Sequence, residues 1–210
     1  EDCLYLNVWS PSESSAALPV MFFIHGGVNH FGSANAGGLY DGQRFASNHE
    51  VVVVSINYRL GALGWFSHPS LAVEETDEYS QRDNSGNYGT LDILAALEWV
   101  QGNIKNFGGD PDNVTIFGES AGAFNVLSMM ISPLAEGLYH KAISQSGGIR
   151  IIPMDAAQNY HDEGLGHPLS ARELTSRMLV KSGLAVDQED ARGVQEIMSG
   201  GAIRKFLLDQ

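Results

Sequence analysis

The sequence predicts an α/β fold with a mostly parallel central sheet, and three observations carry that expectation. Apolar, β-branched runs at residues 20–24, 51–56 and 114–117 alternate with stretches of helical period, the pattern of strands covered by crossover helices. Two of these runs end in glycine-containing turns: His25-Gly26-Gly27 after the first and Gly118-Glu119-Ser120-Ala121-Gly122 after the third. The second turn passes straight into another helical pattern, so strand, sharp turn and helix follow without a linker.

Taken in order, residues 20–24 and 51–56 have the length and continuous apolarity of buried strands. A Gly/Asn/Ser-rich loop at 28–41 separates them, and a polar, charged loop at 67–87 follows. Ile93, Leu97, Val100 and Ile104 recur at helical spacing, which predicts an amphipathic helix over about 90–105 with that stripe on the core. The helix after Ser120 is expected to run from Ala121 through Met130, with Phe124, Leu127 and Met130 or Ile131 facing inward. Residues 141–145 read as a short strand. From about 170 the texture changes to helices at 170–181 and 187–198, separated by Gly183, with a capping box in Ser170 and Glu173. Ile203, Phe206 and Leu207 begin a further helical pattern. The expected organisation is one partial domain, with a sheet core at 1–150 and a mainly helical continuation at 151–210. There is no internal repeat and no low-complexity segment.

The 210 residues carry 12 Lys+Arg against 25 Asp+Glu, a net charge of −13. The longest basic cluster is Arg204-Lys205, and a phosphate backbone would be repelled, which argues against nucleic acid as a partner. No apolar run has the length of a membrane span. The chain begins at Glu1 and stops at Gln210 inside a helical pattern, so both ends read as cuts.

The two turns carry the chemistry. A serine hydroxyl becomes a useful nucleophile when the backbone pushes it clear of its surroundings and a base can reach it, and a strained strand-to-helix turn does the first. Glycines at 118 and 122 are then steric necessities, because a Cβ at either would meet a neighbouring strand or helix. A His-Gly-Gly loop after a strand can supply backbone N–H groups to an oxyanion hole. In a chain with 24 glycines either motif alone is weak, and the His-Gly-Gly turn alone reads as an ordinary turn. Together they reinforce each other.

Successive blocks of the chain resemble the type-B carboxylesterase family, the cholinesterase-like branch of the α/β-hydrolases. They are Glu1-Asp2-Cys3-Leu4-Tyr5-Leu6-Asn7-Val8-Trp9, the His-Gly-Gly loop, Asn57-Tyr58-Arg59-Leu60-Gly61-Ala62-Leu63-Gly64, Asn103-Ile104, Phe107-Gly108-Gly109-Asp110-Pro111, residues 114–122 and Ser144-Gln145-Ser146-Gly147-Gly148. The resemblance covers residues 1–150 and implies a three-layer α/β-hydrolase fold, incomplete in this chain. It implies a carboxylic ester hydrolase acting through an acyl-serine on Ser120, with the N–H groups of Gly27, Val28 and Ala121 as the oxyanion hole. It implies no metal or organic cofactor, and a small-molecule ester as substrate. In this fold the chain order is serine, acid, histidine, so the acid and the histidine are expected C-terminal to this chain. The chain alone is therefore expected to be inactive.

His140 is expected to cover a strand start, and His161 and His167 to lie in a solvated loop; none is assigned as the general base. Many relatives have a third glycine at the position of Val28, and often an aromatic at the position of Asn29. A β-branched residue resists φ > 0, so the strained torsions are expected on Gly26 and Gly27, with Val28 in an ordinary region. Cys3 is the only cysteine. In the resemblance it pairs with a cysteine further upstream, as in a secreted or periplasmic protein. The resemblance also implies a buried ion pair between Arg59 and Asp92. The alternative reading is a non-catalytic adhesion or binding module on the same fold, against which the retained serine and its flanking glycines argue.

Overall fold

The computed structural model describes residues 2–11, 17–72, 82 and 84–209. Most of the polar loop expected at 67–87 lies outside the described residues. The chain divides into two compact units, one of residues 1–64 and 88–150, the other of residues 65–87 and 151–210.

The first unit is built on a five-stranded sheet. Its strands are β1 (Leu6–Trp9), β2 (Leu18–Ile24), β3 (Val52–Ile56), β4 (Gly109–Glu119) and β5 (Lys141–Gln145). The order is β1-β3-β2-β4-β5, with β1 antiparallel to β3 and every other pair parallel. All five residues of β3 are buried, as expected of a strand covered on both faces. The register aligns Ile24 with Ile56 on one side and with Gly118 on the other, so β2, β3 and β4 end at one edge of the sheet. Chain direction across the sheet reverses at β2, with β3 on one side and β4 on the other. In open α/β sheets the crevice beyond the strand ends at such a point is where ligands bind.

Helices α1 (Gln43–His49), α2 (Gly61–Gly64), α3 (Tyr88–Asn103) and α4 (Ala121–Ile131) complete this unit. In α3, Ile93, Leu97 and Val100 are buried, and Ile104 is buried in the 3₁₀ turn that follows, so the expected stripe is the core face. Asp92 on the same helix accepts three hydrogen bonds from Arg59: from Nε at 2.8 Å, Nη2 at 2.7 Å and the backbone N–H at 2.9 Å. The carboxylate is buried and the guanidinium partly exposed, and the pair raises the guanidinium pKa further above its ordinary value.

The inward face of α4 differs from the expected one. Ala123, Val126 and Met129 are buried, Leu127 is intermediate, and Phe124, Met130 and Ile131 are exposed. The helix is apolar on most sides, so periodicity offers two stripes and does not choose between them. Gly122 chooses. A Cβ there would collide with the Ile24 carbonyl, so this residue lies against β2, and residues 126 and 129 follow on its face.

The second unit is helical, with α5 (Met154–Gln158), α6 (Ala171–Lys181), α7 (Gln188–Ile197) and α8 (Gly200–Leu208). One cluster of its core is Leu179, Ala185 and Ala191, with Val180, Val194, Met198 and Phe206 packed against them; Tyr160, Ala171 and Ile203 are buried too. Three side chains cap the helices, Ser170 on Glu173 N–H, Asp187 on Asp190 N–H and Ser199 on Ala202 N–H. The capping box expected at Ser170 is therefore half formed. Glu173 does not reach back; its Oε1 accepts from His161, through the backbone N–H at 3.1 Å and Nδ1 at 2.5 Å, while Ser170 N–H donates to His167 C=O. Arg192 lies 4.0 Å over the Tyr160 ring and pairs with Asp162, holding that carboxyl down at about 2. Among the described residues no helix is long and apolar enough to cross a membrane.

Candidate active site

Ser120 sits at the junction of β4 and α4 with φ 53° and ψ −121°, a sparsely populated conformation for a residue with a Cβ. Such a residue costs of order 1–3 kcal/mol and persists only where its surroundings over-determine it. Here they do. Its N–H donates to Gln145 C=O at 2.9 Å, and its C=O accepts from Ala123 N–H at 2.9 Å and Phe124 N–H at 3.1 Å. The flanking glycines behave as steric reasoning requires: a Cβ on Gly118 would lie 2.6 Å from the Gly122 carbonyl carbon and 2.7 Å from the Ile24 oxygen. The glycine loop after β2 is close by, since a Cβ on Gly26 would lie 2.8 Å from the Glu119 oxygen and 3.4 Å from the Ser120 Cβ.

The three N–H groups of Gly27, Val28 and Ala121 share a feature. In a trans peptide the N–H points opposite to the C=O of the preceding residue, so holding that oxygen aims the N–H. Gly26 C=O is held by His25 Nδ1 at 2.7 Å, which aims Gly27 N–H. Gly27 C=O accepts from His30 N–H at 2.9 Å and Phe31 N–H at 3.1 Å, which aims Val28 N–H. Ser120 C=O is held as described, which aims Ala121 N–H at the first position of α4, where helix geometry leaves donors without partners. Among the described residues none of these three N–H groups donates to another backbone group outside regular helix and strand pairing.

The torsions in this loop correct the expectation for Val28. Val28 has φ 57°, followed by Asn29 at φ 57°; Gly27 has φ 106°, and Gly26 has no positive φ. The turn closed on Gly27 C=O is of the mirror-image kind, with positive φ at both of its central residues, Val28 and Asn29. The left-handed region costs an L residue roughly 1–2 kcal/mol, more readily borne by Asn than by a β-branched residue. The Val28 side chain is 65% exposed, so this strain comes without any burial in return. Its carbonyl is held by His30 Nδ1 at 2.8 Å.

Beneath the loop lies a buried polar layer that the motifs did not announce. The His25 ring is buried and stacked on Tyr58, with centroids 4.4 Å apart, and the Tyr58 hydroxyl donates to His25 C=O at 2.5 Å. Burial lowers the His25 pKa, which keeps the imidazole neutral, and raises that of the Tyr58 phenol. Asn125, a polar residue on the inward face of α4, donates to Asn29 Oδ1 at 3.1 Å. Its only signal in the sequence is an amide placed within an otherwise apolar helical stretch.

Among the described residues no hydrogen bond joins His140, His161 or His167 to Ser120. His140 is exposed just before β5; its N–H donates to Val114 C=O and its Nδ1 accepts from Val114 N–H, a latch at the strand start. His161 and His167 are exposed in the loop before α6. No cluster of three potential metal-ligating side chains occurs among the described residues. A cavity of about 380 Å³ lined by Met129, Met130, Ile131 and residues up to Tyr139 is at the opposite end of α4 from Ser120.

A model described as the carboxylesterase family matches residues 1–165. The chain is 53% identical over 149 residues to carboxylesterase 1D of Rattus norvegicus, which covers 70% of this chain and 24% of that protein. It is 47% identical over 157 residues to para-nitrobenzyl esterase of Bacillus subtilis (strain 168), covering 75% and 30%. Among solved structures, an esterase from anaerobic Clostridium hathewayi, described as able to hydrolyse aliphatic aromatic polyesters, matches with a TM-score of 0.69 at 39% identity, over 98% of this chain and 37% of that one. The chain thus spans a quarter to a third of the length of these curated relatives. With a family match over most of its residues and about half of the aligned positions identical to these relatives, the chain belongs to the carboxylesterase family.

Proposed function

We propose that the protein carrying this chain hydrolyses small carboxylic esters through an acyl-serine intermediate on Ser120. The Oγ attacks the ester carbonyl carbon as its proton passes to an imidazole base. The carbonyl oxygen becomes an oxyanion received by the N–H groups of Gly27, Val28 and Ala121, and collapse expels the alcohol. Water then attacks the acyl-serine by the same route and releases the acid. The histidine and its carboxylate partner belong to sequence outside these 210 residues. Ala121 N–H adds the positive end of α4 to the hole.

One observation carries this reading: the strained Ser120 stands beside a loop whose carbonyls are tied back so that, among the described residues, Gly27 and Val28 N–H have no hydrogen-bond partner. A binding module has no use for that strain. The test is hydrolysis of a short-chain aryl ester. Residues 1–210 alone are expected to turn over near background. In the full-length protein Ser120→Ala is expected to lower kcat by about 10⁵–10⁶-fold, as loss of a triad member does. Wild-type turnover in that variant would refute the assignment. In the same reading Cys3 is paired with a cysteine outside this chain, and the protein is secreted or periplasmic.

A further inference from the structure

We infer that Asn125 and Asn29 form a clamp that sets the two halves of the oxyanion hole at their working separation, which makes both of them positioning residues; this rests on the assignment of Ser120 and the hole given above. Of the three donors, Ala121 belongs to α4, while Gly27 and Val28 belong to the loop after β2. Each half is rigid by itself, through the carbonyl contacts already described. Their spacing is a separate matter, and it depends on what ties helix to loop.

Asn125 lies one helical turn beyond Ala121, on the same face of α4, and is 4% exposed. Its Nδ2 donates to Oδ1 of Asn29, the residue next to Val28. Asn29 is held in turn through its backbone C=O, which accepts from Gly61 N–H at 2.7 Å. The Tyr58 hydroxyl lies 3.5 Å from Asn29 Oδ1 and donates to His25 C=O, so the same polar layer reaches the start of the glycine loop. Burying an amide with its hydrogen bonds unmade is costly, so Asn125, which also meets the Tyr58 hydroxyl, favours a loop position that brings Asn29 Oδ1 to its Nδ2. That position requires Val28 and Asn29 to stay left-handed, which a free loop would not do. No hydrogen bond links Asn29 or Asn125 to Ser120 among the described residues, so the pair acts on the chemistry through the donors it positions.

The experiment uses the full-length protein and two variants. Asn29→Gly removes the acceptor while suiting the backbone, since glycine takes φ near +57° freely, and it is expected to fold, with a thermal midpoint lowered only by what the buried Asn125 amide loses with that acceptor. Asn125→Ala removes the donor. Each is expected to lower kcat about 10- to 100-fold with KM within about twofold, the mark of an interaction made only in the transition state. Each should weaken an aryl trifluoromethyl ketone, whose hemiketal carries the oxyanion, by about the same factor. The double variant should be no worse than the worse single one, because one hydrogen bond is being removed twice. With Ser120→Ala inactive in the same assay, an unchanged kcat in Asn29→Gly overturns the clamp, as does a loss confined to KM. Retained turnover in Ser120→Ala would instead bring down the nucleophile on which the clamp depends, and the two failures are told apart by that control.

Discussion

The two units of this chain treat backbone strain differently. All five described non-glycine residues with positive φ, Val28, Asn29, Glu50, Ser120 and Ser146, are in the sheet unit. Four of them follow the C-terminal ends of β2, β4 and β5. In the helical unit every described positive φ belongs to a glycine: Gly86, Gly164 and Gly183. The sheet unit has five hydrogen-bonded strands, of which β2, β3 and much of β4 are buried, and can hold a strained turn against its tendency to relax. The helical unit has no strand among its described residues, and its helix ends are tied by side-chain caps in place of strained turns. Strain collects where packing can hold it, and that is where the candidate chemistry is.

The largest expected effect on this contrast comes from the charged pairs. Asp92→Ala leaves the Arg59 guanidinium against a partly closed site and removes three hydrogen bonds, so a loss of about 3 kcal/mol is expected in urea denaturation. Arg192→Ala removes a pair with Asp162 that is solvent-exposed, and the expected loss is clearly smaller. Equal losses would mean that the two units resist disruption alike.

Acid should distinguish them less. His25 in the sheet unit and His68 in the helical unit are both buried, and desolvation lowers both pKa values below 6.5. The folded state thus binds fewer protons than the unfolded one, and each contribution is present above pH 6.5 and lost as pH falls through the window beneath it. Denaturation midpoints should decline from pH 7 to pH 5, and His68→Gln should flatten part of that slope. An unaltered slope would show that His68 does not titrate differently on folding.

The smallest effect tests the strain itself. Val28→Gly removes a β-branched residue from the left-handed region at the cost of a more flexible unfolded chain, for a net gain of about 0.5–1 kcal/mol. A loss of stability would mean that the exposed Val28 side chain makes contacts that outweigh its torsion.

The sequence by itself determined whatever rests on local sterics and period. The parallel strands, the positive φ at Ser120, the glycines at 118 and 122, the α3 stripe and the Arg59–Asp92 pair, the last through family resemblance, were legible because each leaves a mark on residue type or spacing. Tertiary structure alone decided what depends on two segments meeting. Val28 is left-handed within a turn whose ends, Gly27 C=O and His30 N–H, meet in the folded loop. Helix α4 shows Val126 and Met129 to the sheet because Gly122 rests on Ile24. Glu173 leaves its capping box because His161 is within reach. The Asn29–Asn125 contact joins residues 96 apart. Periodicity describes a helix's faces but not which one a neighbour will take, and a polar side chain's partner is set by whichever donor or acceptor folding brings near.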